Sequence, residues 1–452
     1  MRETLVKTEE FKDSPVEKIP KDWEIVSLKN EINILHGYAF EGEYFADEPP
    51  GDVLLVPGNF HRDGGLYFDD NNTKYYRGLI PDGTVLENGQ LLIVMTDLSP
   101  RTLILGRVVL LELPFRVLHN QRIGKIVPKL PNTWDKRFLL LVMNSDTVRR
   151  NIISNATGTT VRHTSPDRIL ANVVPKPPVE EQSKIAEILN TIDEAIAHTS
   201  SLIAKLKQMK AGLLHDLLTR GLDENGELRD AIAHPKQFKD SPLGRIPKDW
   251  KIYNTGAIAT IKYGINDAVD QTLESGVLTI TLPCVSKTGE LTLDKELLAL
   301  SARHKVRDED ILQAGDLLFN WRNGSQEHLG KTAYFEATGE YTHVGFLLRI
   351  RANPELCDSR YLWWRISYMK SEGFFLRAKS QVNNTFNSEE LANMRVIVPP
   401  IPEQQRLVKA LEPCEQRIRA EEAYHDKLKL QKQGLMHDLL TGKVRVNYLG
   451  DN

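Results

Sequence analysis

An α+β chain built twice over is the fold class that the sequence predicts. Two mixed α/β domains are each followed by a long helix, and the two helices pack on each other about a pseudo-twofold axis. Three observations predict this. FKDSPVEKIPKDW (11–23) returns as FKDSPLGRIPKDW (238–250), with ten of the thirteen positions identical. PPVEEQSKIAEIL (177–189) and KAGLLHDLLT (210–219) return as PPIPEQQRLVKAL (399–411) and KQGLMHDLLT (432–441), both at an offset of 222 residues. Between these copied ends lies a divergent middle of about 150 residues, seen twice. Self-similarity at a fixed period is the signature of a repeat architecture.

Each middle is expected to be strand-rich at first. VLLVPGNF and LLIVMTDL in the first copy, and VLTITLP and DLLFNW in the second, are short apolar runs bounded by Gly, Pro, Asn and Asp turns. LENGQLLIVMTDLS (86–99) aligns with LQAGDLLFNWRNGS (312–325), and WDKRFLLLVM (134–143) with LCDSRYLWWRI (356–366). Short helices are expected around Lys136–Arg150 and Ser359–Glu372.

A long helix follows each double proline, since Pro suits a helix start and not its interior. In the first helix, Ile185, Leu189, Ile192, Ile196, Ile203, Leu206 and Leu213 recur in alternating steps of four and three, with Thr199 interrupting. Leu407, Leu411, Cys414, Ile418, His425, Leu428 and Leu435 hold the same register in the second, with Glu421 in place of Thr199. This is the heptad period of a coiled coil. Pro413 is expected to kink the second helix or restart it there. Forty residues at about 1.5 Å each make a rod near 60 Å, longer than one such domain needs, so the rods read as spacers. The resulting division is a first domain at 1–178, a spacer helix at 179–221, a linker at 222–245, a second domain at 246–400, a second spacer helix at 401–442 and a tail at 443–452.

Composition narrows the class of function. The 452 residues are 41% hydrophobic and 26% charged, with 58 basic and 61 acidic side chains, so whole-chain charge argues neither for nor against a polyanionic partner. Three scattered cysteines, Cys284, Cys357 and Cys414, suit a reducing compartment and exclude a cysteine-based zinc site or a disulfide framework. The polar start MRETLVKTEEFKD does not read as a secretory signal, and no run approaches the roughly 20 apolar residues that span a bilayer. A cytoplasmic location without a membrane partner is expected. A frame holding two unlike heads suits a ligand with two unlike elements, and a linear polymer such as DNA fits that description.

IPKDW (19–23 and 246–250), GQLLIVMTDLS with GDLLFNWRNGS, PPxxEQxxI with PPIPEQQRL, and the helix ends GLLHDLLTRG and GLMHDLLTGK occur in one order, twice. In this the chain resembles the specificity subunits of type I restriction–modification systems, over nearly its whole length. The resemblance implies two target-recognition domains joined by two long helices in an antiparallel coiled coil. Each domain would read one half of a bipartite, asymmetric sequence in double-stranded DNA, and helix length would set the gap. The subunit would catalyse nothing and carry no cofactor. It would dock two modification subunits, which methylate adenine with S-adenosylmethionine, and connect to restriction subunits that use ATP and Mg. Two alternatives stay open: a specificity subunit serving a fused nuclease–methyltransferase, and a coiled-coil scaffold that never touches DNA.

No catalytic set contradicts this. Gly324 to Thr332 places five residues between its glycines where a phosphate-binding loop needs four. There is no GxGxxG, HExxH or GxSxG, nor the (D/N)PP(Y/F) tetrapeptide that resembles an adenine methyltransferase site. His215-Asp216 and His437-Asp438 are adjacent on helices and point apart, which suits a helix end or a docking surface better than a metal site.

Under the resemblance, DNA-reading residues are sought in loops that mix Arg and Lys, which pair with guanine, with Asn and Gln, which pair with adenine. The first domain offers Arg101 in the loop 96–101, then Asn120, Gln121, Arg122 and Lys125, and then Thr157, Thr159, Thr160, Arg162 and His163. The second offers Asn320, Arg322, Asn323, Ser325 and Lys331, then Arg377, Lys379, Gln381, Asn383 and Asn384. Trp321, Trp363 and Trp364 read as core residues rather than base-stacking platforms.

Overall fold

The computed structural model describes residues 5–8, 10–16, 18–266, 275–286, 288–322, 328–378 and 385–446. They form two units that do not follow the linear division of the chain. The first comprises residues 1–199 with 424–452, and the second residues 200–423, so each long helix gives one half to each unit.

In the first unit a four-stranded antiparallel sheet is ordered Val108–Leu110, Leu91–Val94, Ile123–Pro128, Ile32–His36. Beside it runs a five-stranded mixed sheet in which Val117–His119 pairs parallel with Asp52–Leu55. The strand Leu91–Val94 explains why LLIV carries no polar residue. Alternate side chains of a strand point to opposite faces. Leu91 and Ile93 enter the core against the helices, and Leu92 and Val94 enter the core between the sheets. The second unit repeats the device. Its four-stranded sheet is ordered Ala259–Tyr263, Leu347–Ala352, Leu317–Asn320, Thr332–Tyr334. Leu317 and Phe319 face one core there, and Leu318 the other. Its second sheet has three strands among the described residues, with Tyr341–His343 parallel to Val277–Ile280.

The long helices are Val179–Thr219 and Ile401–Leu440. The second continues through Pro413, so the restart offered as one of two expectations there does not occur. Pro413 is exposed there. Within each unit the helix halves run antiparallel. In the second unit, Lys207 pairs with Glu422 at 2.6 Å and Lys210 with Glu415, one number rising as the other falls. In the first unit, Asp193 pairs with Lys432 at 2.6 Å, while Ile185 and Leu189 share a core with Leu435 and Leu439. Ile185, Leu189, Leu407, Leu411, Ile418 and Leu428 are buried, and Ile192, Ile196, Ile203 and Leu206 are half-buried. Leu213 departs from the expected seam. It is exposed, and Leu214, Leu217 and Leu218 turn into the core of the second unit instead.

The repeated motifs have one physical purpose: they lock the start of each long helix. Trp23 is fully buried and donates its indole N–H to Glu181 at 3.0 Å, and Trp250 does the same to Glu403 at 3.0 Å. Arg445 grips Glu181 through two nitrogens at 2.8 and 2.7 Å. Arg229 grips Glu403 likewise, with Nη2 at 3.0 Å, and the backbone N–H of Leu222 adds a further donor at 3.0 Å. Burial alone would lower the Arg229 pKa, but the Glu403 pair outweighs it and holds the guanidinium above its ordinary value. The hydrogen bonds to Glu181 raise Arg445 in the same way.

The next residue, Gln182 or Gln404, accepts the N–H of Asp135 or Asp358 at 2.9 or 2.7 Å. Those aspartates cap the helices Lys136–Met143 and Ser359–Ser371. Each long helix ends at a left-handed glycine, Gly221 (φ 70°) or Gly442 (φ 71°). There a Cβ would lie 2.4 Å from the Trp250 ring, or 2.5 Å from the Pro20 ring. The linker and the tail are therefore counterparts. One supplies Arg229; the other supplies Arg445 from the strand Val444–Val446, which pairs with Leu5–Lys7.

Candidate nucleic-acid interface

At one end of the first unit, the chain leaves the strand Leu91–Val94 and meets three turns. The Met95 N–H donates to the Arg122 carbonyl at 3.0 Å, and Thr164 N–H donates to the Met95 carbonyl at 2.9 Å. Thr96–Asp97 then pairs with Arg162–His163, with the Thr96 hydroxyl 3.0 Å from His163 Nδ1. The three loops proposed separately from sequence, 96–101, 118–125 and 154–163, are thus brought together at one sheet end.

Each loop is rigid for a local reason. The buried Asp97 carboxylate accepts the N–H groups of Ser99 and Ile104, both at 2.8 Å, so the loop holds its shape from within. Arg149 braces the same loop by donating to the Leu103 carbonyl at 3.1 Å. Burial, with Arg107 nearby, pushes Arg149 down to about 10, which leaves it protonated at neutral pH. His119 donates Nε2–H to the Ile123 carbonyl at 2.9 Å and closes the turn 119–123. Gly37 packs beneath that turn, where a Cβ would lie 2.3 Å from the Asn120 carbonyl oxygen.

The candidate side chains then separate. Arg101, Gln121, Arg122, Thr157, Thr159, Thr160 and His163 are exposed. Asn120 is buried, and its side chain accepts the Arg122 N–H at 2.9 Å, making it a turn former. Lys125 is half-buried on its strand. Arg162 spends its guanidinium on the carbonyls of Gly158 at 2.9 Å and Ile153 at 3.3 Å, holding its own hairpin.

Sequence reasoning missed Tyr38, Leu98 and Leu103, all exposed around these loops. Tyr38 lies against the turn through Gln121 N–H to Tyr38 carbonyl at 2.9 Å. The signal for it was Gly37, a glycine inside an otherwise regular strand end.

The second unit has the same end. Arg322 bridges Thr385, and Phe386 N–H donates to the Trp321 carbonyl at 2.8 Å, which joins the loops after 320 and before 386. Arg322 and Arg377 are exposed. Asn320 and Lys331, expected on a reading surface, are instead buried, because Asn320 ends the central strand and Lys331 precedes the strand beside it. Asn323, Ser325, Lys379, Gln381, Asn383 and Asn384 lie outside the described residues. Trp363 and Trp364 are core residues, and Trp321 donates its indole N–H to the Gly345 carbonyl at 2.7 Å. The turn 343–347 was missed altogether, although its His343 aligns with His119 in the repeat. Burial, with Arg349 alongside, pushes His343 down to about 4, and burial brings His119 to about 4.

Among the described residues, no group of His, Cys, Asp and Glu could hold a metal ion, and no helix is long and apolar enough to cross a membrane. His215 contacts the Tyr368 hydroxyl at 2.8 Å.

The model of the type I restriction modification DNA specificity domain matches residues 20–208 and again 247–430, most of the chain. The chain belongs to that family. Like its relatives it is a specificity subunit, the DNA-recognition and non-catalytic component of a type I restriction–modification system. It is 23% identical over 450 residues to the type I restriction enzyme MjaVIII specificity subunit of Methanocaldococcus jannaschii, covering 98% of both chains. It is 25% identical over 411 residues to the EcoBI specificity subunit of Escherichia coli, covering 87% of this chain and 79% of that one. In fold it is similar to the crystal structure of the S subunit from M. genitalium, with a TM-score of 0.59 at 15% identity, over 92% of this chain and 96% of that one. Each match spans one strand-rich middle and most of the long helix that follows it.

Proposed function

We propose that each unit of this specificity subunit reads one half of a two-part, asymmetric target in double-stranded DNA through its loop-bearing sheet end. The observation that carries this is the same described backbone frame at one sheet end of both units, the strand exit with the turns 119–123 and 343–347 beside it, dressed with unlike side chains. Arg101, Gln121, Arg122 and His163 stand on one, Arg322 and Arg377 on the other. Unlike side chains on like backbones read unlike bases. The two long helices act as the ruler between the halves. The complex has two modification subunits carrying S-adenosylmethionine and restriction subunits using ATP and Mg, and it works in the cytoplasm.

Inserting one heptad in both long helices tests the ruler. Seven residues lengthen a helix by about 10 Å, or about three base pairs. The methylated half-sites keep their bases and move apart by that amount; changed bases at unchanged spacing contradict the proposal. Separately, Arg322→Ala in the assembled methyltransferase weakens specific binding by about 1–3 kcal/mol, measured by titration on target against mismatched duplex, if it pairs with guanine. Unchanged discrimination removes Arg322 from the readers.

A further inference from the structure

The turns 119–123 and 343–347 are the same piece of backbone. Tyr38 N–H donates to the His119 carbonyl and Ile265 N–H to the His343 carbonyl, at 2.8 and 2.9 Å. Gln121 N–H donates to the Tyr38 carbonyl and Gly345 N–H to the Ile265 carbonyl, at 2.9 and 2.8 Å. Val94 pairs with Ile123 as Asn320 pairs with Leu347. A glycine lies under each turn, Gly37 and Gly264, where a Cβ would come within 2.3 and 2.2 Å of a carbonyl oxygen of the turn. This register equates Arg122 with Phe346 and Gln121 with Gly345.

The side chains at those two positions could hardly differ more. Arg122 is exposed and charged, while Phe346 is 50% exposed and apolar. Gly345 has no side chain to offer, and a Cβ there would lie 2.1 Å from Asn266 Oδ1, so Asn266 would have to move to admit one. Phe346 stands on a fixed mount, because the Trp321 indole holds the Gly345 carbonyl at 2.7 Å and Tyr263 packs edge-on against Trp321 at 5.3 Å. Phe346 itself belongs to none of the core clusters.

We propose that Phe346 is a specificity-determining residue that packs on the C5-methyl group of a thymine in the half-site read by the second unit, where the first unit presents Arg122 to a guanine. The chemistry is restrictive. In the major groove only thymine offers an apolar group; the other bases present hydrogen-bonding edges that a phenyl ring would cover without replacing their water. The inference rests on the reading of DNA proposed above.

The test uses the assembled methyltransferase complex and duplexes carrying its methylated motif, in which each thymine is replaced singly by uracil, which lacks only the methyl. One replacement, in one half of the motif, weakens wild-type binding roughly fourfold, the order of one buried methyl group. The same replacement leaves the Phe346→Ala complex unchanged, while Phe346→Leu and Arg122→Ala complexes remain sensitive to it. If no uracil weakens the wild type, or if Phe346→Ala is as sensitive as the wild type, the inference falls while DNA reading stands. A rise in 2-aminopurine emission that depends on Phe346, without a uracil effect, would assign the ring to a wedge between base steps and also overturn it. A wild-type complex that binds the motif no better than unrelated DNA overturns the reading itself.

Discussion

Glu403→Ala is expected to destabilise the second unit by about 3–5 kcal/mol, the cost of leaving a buried charge without its partner. Glu403 is 2% exposed and accepts from Trp250, from both terminal nitrogens of Arg229 and from the Leu222 backbone. Its loss leaves Arg229, a side chain only 11% exposed, with Asp249 at 3.3 Å as its remaining acidic partner, beside a fully buried indole N–H. Urea unfolding of the full chain, with hydrogen exchange to assign the transition, measures the loss. Glu181→Ala does the same to the first unit with a smaller loss, because Arg445 is 25% exposed and keeps both Asp22 oxygens at 2.8 and 2.9 Å, where Arg229 keeps Asp249 through one contact at 3.3 Å. A Glu403→Ala loss under about 1 kcal/mol, the scale of an exposed ion pair, would show that the lock is not a buried one.

Acid is expected to weaken both units through paired histidines. His119 and His343 have folded-state values of about 4, set first by burial. Around His343, Arg349 lowers the value further, while Asp316 and Asp310 oppose the shift. An unfolded imidazole titrates near 6.5. The unfolded chain therefore binds more protons between these values, so stability is complete above pH about 6.5 and falls as pH drops toward 4. From pH 7 to pH 5 the loss is about 2 kcal/mol per histidine. Replacing His343 with glutamine removes that slope from the second unit only. A wild-type unfolding free energy that is flat from pH 7 to 5 would contradict the assignment.

Much of the fold was legible because the copied motifs do mechanical work. IPKDW, PPxxEQ and the glycine after DLLT recur because each long helix needs a tryptophan, a glutamate–arginine lock and a left-handed exit. The apolar period of the helices was equally plain. Sequence could not show that linker and tail are counterparts, because Arg229 and Arg445 sit in segments with little else in common. Pro413 pointed to a restart that does not occur, because the helix runs on through it from Ile401 to Leu440.

The site was half legible. Loops rich in Arg, Asn and Thr were found, and those of the first unit converge, but composition does not distinguish an exposed side chain from a brace. Arg162 and Asn120 hold their own turns, and Asn320 ends a buried strand. Phe346 escaped because an apolar residue in a turn looks like core until its exposure is seen.

The central claim is that one chain carries two unlike readers at a set separation. Genome-wide mapping of methylated adenine in a host expressing this chain with its modification partner tests it most directly. The account predicts one motif in two dissimilar parts with an unspecified gap of constant length between them. A single uninterrupted motif, or two parts at variable spacing, would contradict it.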